Sequence, residues 1–205
     1  MQMSRSGRSD AELYSLAVNE IEENRRRRFD EIGCHGWEHV ERVRSLSRAI
    51  GKSEGADLEV LDAAALFHDS MRSSDDHSLA STDYARRVLG EMGFSRVFCD
   101  SVSSAIASHS FSAGRAAGTL EGRALSDADR LDAMGALGIY RTVQYNMEHG
   151  YHAGRICEHI RGKLLKLHDL LYTEAARSLA KRRVAVLELY LSAMEEELAE
   201  SSSSR

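Results

Sequence analysis

Proline is absent from all 205 residues of the chain. A proline inside a helix removes a backbone hydrogen bond and clashes with the preceding turn, so its absence leaves the chain free to form long, uninterrupted helices. The apolar pattern agrees, because most of the sequence has 3.6-residue spacing punctuated by glycine, and no stretch alternates with β-branched enrichment. The spacing predicts helices over 10–30, 36–51, 57–70, 75–92, 95–110, 121–134, 136–148, 155–171 and 173–199, with Gly33, Gly51, Gly55, Gly93 and Gly150 at or near their ends. The expected fold class is all-α. No Ser/Gly-rich linker and no internal repeat divides the chain, so a single-domain helical bundle is expected. Within it, residues 1–33 form an N-terminal helix packed on the core, 34–200 the main body with a helical C-terminal segment, and 201–205 a frayed tail.

Four titratable groups fall on apolar stripes, where charge is costly. His39 is in register with Val43, Leu46 and Ile50, so its imidazole faces the side that makes that helix's core contacts. His68 repeats the pattern with Leu61 and Ala65. Asp69 closes the apolar run Ala63-Ala64-Ala65-Leu66-Phe67, and a buried carboxylate needs a partner or a metal. Asp129 lies one turn after Leu125 and shares a face with Asp132. Each has a plain reading by itself: a core histidine bonded to the backbone, or an aspartate capping a helix, as Asp69 could cap one beginning near Ser73-Ser74-Asp75. Together, imidazoles and carboxylates from three segments are what a metal site in a helical bundle needs.

Composition narrows the remaining classes. A net charge of −5 and a pI near 6.0 argue against a dedicated nucleic-acid binder. The run Arg25-Arg26-Arg27-Arg28 stands between acidic residues and reads as a solvated, partly self-neutralised face. Cys34, Cys99 and Cys157 are odd in number with no CxxC pair, which points to a reducing, cytoplasmic setting rather than a disulfide framework. No secretory signal and no membrane span is expected, since the opening residues are polar and no apolar run is long enough.

The ordered set HGWEHVERV (35–43), AAALFHD (63–69), AIASHSFSAG (105–114), DADRLDAMGALGIYR (127–141) and EHIRGKLLKLHDLLYTEAARSLAKRR (158–183) resembles the HD superfamily of metal-dependent phosphohydrolases, named for a doublet seen here at His68-Asp69. The last two stretches are similar to a branch of small stand-alone bacterial and archaeal hydrolases, in which a helical C-terminal segment completes the site. The resemblance implies an HD-type bundle with His39, His68, Asp69 and Asp129 as metal ligands. Many relatives carry a lysine after the doublet that contacts phosphate, which implies the same contact for Arg72, three residues past Asp69, the alternative being an ordinary surface arginine. One departure stands at Gly36, where the family often has aspartate, and this glycine reads as a helix start.

Two imidazoles and two carboxylates without sulfur disfavour a closed structural zinc site and leave positions open for water and substrate. Mn²⁺ or Fe²⁺ suits such a mixed set best, with Mg²⁺ or Zn²⁺ the other choices. Such an ion polarises a phosphoryl oxygen and lowers the pKa of bound water. The expected activity is therefore hydrolysis of a phosphoester or phosphoanhydride in a small phosphorylated metabolite, with a nucleotide implied by the resemblance. Asp69, Asp132 and Arg72 are the catalytic candidates, with Arg130 and Lys163 as further phosphate contacts unless one pairs with a helix carboxylate. Asp132 is read either as orienting or deprotonating water or as satisfying a backbone or arginine donor. His77 and His109 form a second-metal or substrate-side pair; His109 continues the stripe of Val102 and Ile106. His35, His149, His152, His159 and His168 lack comparable spacing, although His159 lies in the C-terminal stretch and is expected near the pocket. Two rival classes are a binuclear iron HD-type oxygenase, favoured by two irons and oxygen-dependent turnover, and a non-catalytic nucleotide sensor, favoured by a lost ligand; all four ligands are present.

Overall fold

A computed structural model describes residues 7–27, 33–72, 74–109 and 117–203. Among these residues the chain forms α1 (Asp10–Arg26), α2 (Trp37–Glu54), α3 (Leu58–Phe67), α4 (His77–Glu91), α5 (Arg96–Ala107), α6 (Leu120–Asp132), α7 (Gly135–Glu148), α8 (Gly154–Gly162), a 3-10 helix (Leu164–Leu170) and α9 (Glu174–Ser203). No strand occurs among them, and the fold is all-α. None of these helices is long and apolar enough to cross a membrane.

Local chemistry explains the starts. Ser9 caps α1 in a reciprocal box with Glu12, and Asp57, Asp76, Ser95 and Thr119 cap α3, α4, α5 and α6 with side-chain oxygens. Each satisfies an early amide that has no partner within its helix. Gly36 caps α2 with no side-chain hydrogen bond. At the other end α2 runs past Gly51 to Gly55, whose φ of +81° supplies the left-handed turn. Gly51 serves packing instead, because a Cβ there would stand 2.4 Å from Leu61 Cδ2.

α3 is the centre of the bundle and is buried on every side from Val60 to Phe67. α2 and α5 pack against it, α6 lies against α2, and α4 pairs with α5. The core side chains Val40, Val43, Leu61, Leu66, Val102, Ile106, Leu125 and Leu131 are fully shielded from solvent. α7, α9 and the 3-10 helix pack on α6, and α8 lies against α7 and α9. The start of α9 is tied down by Asp127 of α6, which accepts from the Tyr172 amide at 2.9 Å and from the Thr173 amide and hydroxyl at 2.8 Å each.

Several boundaries differ from the spacing. α1 ends at Arg26, and residues 28–30 of the expected helix lie outside the described residues. α3 stops at Phe67, so His68 and Asp69 sit in the turn that follows rather than in a helix. α4 begins at His77 with Asp76 as its cap, so Asp69 is not that cap. The helix expected over 155–171 breaks at Lys163, where φ −130° and ψ −59° depart from helical values, and a 3-10 helix continues so that Leu164 and Leu167 turn inward. α9 continues through Ser203, beyond the expected end at 199. Arg25 is not part of a solvated face. It extends the stripe of Leu13, Tyr14, Ala17 and Ile21 and is fully buried, its guanidinium 5.2 Å from the Phe67 ring centre and 5.0 Å from that of Tyr84.

Candidate metal centre

His39 in the first turn of α2, the His68-Asp69 doublet after α3 and Asp129 near the end of α6 converge at the junction of these three helices. His39 Nε2 is 3.2 Å from His68 Nε2, 3.5 Å from Asp129 Oδ1 and 3.7 Å from Asp69 Oδ2, and His68 Nε2 is 3.9 Å from the same Asp69 oxygen. His39, His68 and Asp69 are buried, whereas the Asp129 side chain is a third exposed. Asp129 thus forms the open side of the cluster.

The protein fixes which ring nitrogens are offered. His39 Nδ1 donates to Asp132 Oδ2 at 2.8 Å, and His68 Nδ1 donates to the Ala65 carbonyl at 2.8 Å. With both Nδ1 atoms protonated in neutral rings, the two Nε2 lone pairs face each other across 3.2 Å with two carboxylate oxygens beside them. Four electron-rich atoms without a proton among them repel one another, and a divalent cation is the charge that reconciles them. Burial, aided by Arg141, pushes His39 down to about 4 against the pull of Asp132, which keeps its imidazole neutral as a ligand requires. Burial alone would raise Asp69, but the hydrogen bond from His35 and the Arg72 guanidinium hold it well below the ordinary carboxylate range.

The remaining expected residues divide into three groups. His109 and His77 approach Asp69 from the far side, and the three form a second donor group within 4.8 Å. His109 Nδ1 donates to the Ile106 carbonyl at 2.6 Å, and His77 Nε2 is 3.9 Å from Asp69 Oδ1. His77 is the first residue of α4 and is thereby held by a helix, not by the polar loop alone. Arg72 lies over the cluster with Nη1 3.3 Å from Asp69 Oδ1 and Nη2 3.2 Å from His35 Nε2, its side chain 45% exposed.

Asp132 occupies a different place from a water-activating base. It is completely buried, and its oxygens receive His39 Nδ1, Arg42 Nε at 2.6 Å and Arg141 Nη1 at 2.9 Å. Burial alone would raise it, but these partners hold it well below the ordinary range. Arg130 is also buried, with Nη1 3.5 Å from Asp127 Oδ1 and its guanidinium 5.1 Å from the Tyr172 ring centre. Lys163 is exposed at the break after α8.

His35 and the two arginines were not singled out by spacing. His35 Nδ1 stands 3.2 Å from Asp69 Oδ2, and with His39 and Asp69 it forms a further donor group. Because it precedes α2, it interrupts no stripe. Arg42 follows His39 by three residues on α2, a same-face relation that offered a signal, and Arg141 closes the fourth family stretch.

The cluster opens into a cavity of about 640 Å³ whose wall includes Arg72, His77, Asp129, Arg130, Arg141, His159 and Lys163. His149, His152 and His168 are not part of that wall, and Cys34 is, although no cysteine belongs to a donor group among the described residues.

The family profile described as HD domain matches residues 36–134. YpgQ of Bacillus subtilis is 36% identical over 164 residues, covering 75% of this chain and 80% of that protein. The chain belongs to the HD superfamily of metal-dependent phosphohydrolases. A crystal structure of the same YpgQ in complex with ADP superimposes with a TM-score of 0.74 at 31% identity, over 88% of this chain and 97% of that one. An HD-superfamily hydrolase from Bacillus thuringiensis gives a TM-score of 0.68 at 29% identity, over 93% and 96%. The profile of this family thus spans the segment from Gly36 to Met134, which contains all four residues of the central cluster.

Proposed function

We propose that this HD-superfamily chain hydrolyses a phosphoester or phosphoanhydride bond of a nucleotide, with a divalent metal held by His39, His68, Asp69 and Asp129. The observation that carries the reading is the pair of Nε2 atoms 3.2 Å apart, each on a ring whose Nδ1 is committed to a protein acceptor, beside two carboxylates at the floor of an open cavity. When bound there, the metal supplies Lewis-acid polarisation of a phosphoryl oxygen and a lowered pKa for water.

The chain's own groups do the rest. Asp132 holds His39 in the tautomer that offers Nε2, and Arg42 and Arg141 keep Asp132 ionised. Asp69, whose Oδ2 faces His39 and His35, positions the attacking water. Arg72 swings from its contacts with Asp69 and His77 to take a phosphate oxygen, a pairing its planar fork suits. Arg130 and Lys163 add positive charge along the cavity wall. Binding of ADP by a relative of similar fold supports a nucleotide as the substrate class. The group formed by Asp69, His77 and His109 favours a weaker second metal position, filled at high metal concentration or with a phosphate bound.

The test is a screen of nucleoside mono-, di- and triphosphates and cyclic nucleotides after chelation and metal replacement, with phosphate and pyrophosphate measured separately. Turnover is expected with Mn²⁺ above Mg²⁺, because Mg²⁺ prefers an all-oxygen shell. Release of neither product, together with no nucleoside monophosphate from a cyclic nucleotide and no inorganic triphosphate from a nucleoside triphosphate by chromatography, with any metal would overturn the activity, and a clear Mg²⁺ preference would contradict the ligand set.

A further inference from the structure

The cavity wall farthest along α7 from the donor cluster is aromatic. Gly138, Arg141, Thr142, Tyr145 and Asn146 line it at helical spacing, so one face of α7 runs along the cavity. Arg141 marks the cluster end, with Nη1 on Asp132 and Nη2 3.3 Å from His35. Tyr145 stands one turn further on, about 5.4 Å along the axis. Beyond the end of α7, Tyr151 joins it, their ring centres 6.3 Å apart.

Both rings line the cavity yet remain 44% and 46% exposed, unusual for two neighbouring aromatic rings. The platform is also held in place. His149, which is not part of the cavity wall, stacks on Tyr145 with ring centres 4.0 Å apart, and its Nδ1 is anchored on the Tyr145 carbonyl at 2.8 Å. The Arg155 guanidinium lies 5.6 Å from the Tyr151 ring centre and is itself held by Glu158 at 2.9 Å. A preorganised pair of partly exposed rings, one helical turn from a cationic and metal-ligating floor, matches a molecule with a flat π-system at one end and phosphate at the other.

We infer that Tyr145 and Tyr151 form the nucleobase subsite, one ring stacking on the base while the other, tilted 47° to it, meets the base from the side, with the phosphates pointing toward Arg72 and Asp129. The inference rests on the nucleotide reading of the preceding section and adds the residues that recognise the base. Stacking has no donor and acceptor pattern to read, so the subsite accepts different bases.

Binding of ADP, supplied as its non-hydrolysable α,β-methylene analogue, and of pyrophosphate, supplied as methylenediphosphonate, is measured by calorimetry with Mn²⁺ present, for the full chain and for Tyr145→Ala, Tyr151→Ala and Tyr145→Phe. Each alanine variant is expected to raise the ADP Kd by about five- to a hundredfold, to leave the pyrophosphate Kd within about twofold, and Tyr145→Phe to stay close to the parent. Unchanged ADP binding in both alanine variants, or an equal loss for ADP and pyrophosphate, would overturn the subsite. Because binding is read without turnover, a chain that hydrolyses nothing but binds ADP through these rings would remove the activity and keep the subsite. A parent chain that binds pyrophosphate but gains nothing from the adenosine of ADP would remove the subsite alone.

Discussion

His39 and His68 each commit one ring nitrogen to the protein and leave the other to the cluster. For His68 the partner is a backbone carbonyl, which no side-chain substitution removes, whereas for His39 it is the Asp132 carboxylate. Asp132→Asn keeps the shape but replaces one acceptor oxygen with a donor nitrogen, so the proton on His39 Nδ1 loses its reason to be there. We expect Asp132→Asn to weaken Mn²⁺ binding about ten- to a hundredfold in a chain that stays folded, measured by metal titration followed by circular dichroism of the same samples. Unaltered affinity would mean that Asp132 only neutralises Arg42 and Arg141. Arg72 makes the opposite prediction, since it touches the cluster from outside. Arg72→Ala should retain the metal and lower kcat/KM by about ten- to a hundredfold, the loss of one charge-assisted hydrogen bond to phosphate. Steady-state kinetics equal to the parent's would return it to the surface. These two residues also show what a sequence can reveal. A histidine on an apolar stripe stands out because it breaks a pattern, but an arginine that folds back onto a buried carboxylate looks like any arginine on a helix.

At the scale of elements, most helices were legible because caps, apolar spacing and glycines act locally. Their errors are equally physical. Gly51 resembles a terminator in sequence and is a packing residue in the structure, a distinction made only by Leu61 on the neighbouring helix. The break at Lys163 follows from seating Leu164 and Leu167 in the core, which spacing within one helix does not reveal. The junction of α1 with α2 and α3 is likewise non-local. Asp62, almost wholly buried, accepts from Tyr14 Oη at 2.5 Å, Arg44 Nε at 2.8 Å and Arg48 Nη1 at 3.1 Å. Burial alone would raise its pKa, yet Arg44, Tyr14 and Arg48 outweigh it and hold the carboxyl below its ordinary value. The unfolded chain therefore takes up this proton first. The stabilisation is complete above the unfolded carboxyl range, near pH 4, and is lost as pH falls through the lower folded value. Asp62→Asn should cost about 2 kcal/mol at pH 7, discounted for the partial exposure of Arg44 and its second partner Glu22. The difference should shrink toward pH 3. Urea unfolding at both pH values checks this, and a difference that is independent of pH would refute it.

For the molecule as a whole, the bundle brings three segments spread over ninety residues of sequence to one point and opens that point to a cavity walled by α6, α7 and α8. The cluster was visible beforehand as a set of misplaced polar groups, but its arrangement was not. Neither His35 beside Asp69 nor the tyrosine wall follows from periodicity, since both lie where helices meet turns and depend on how α2, α7 and α8 pack together. The account stands or falls on the central cluster. The most direct measurement is an anomalous-scattering map of crystals grown with Mn²⁺, paired with elemental analysis of the parent chain and of folded His68→Ala and Asp69→Ala variants. The account predicts one strong peak in the parent bounded by His39, His68, Asp69 and Asp129, and loss of metal and hydrolysis in both variants. Metal content and hydrolysis that survive either substitution, or a strongest peak that lies away from these four residues, would contradict it.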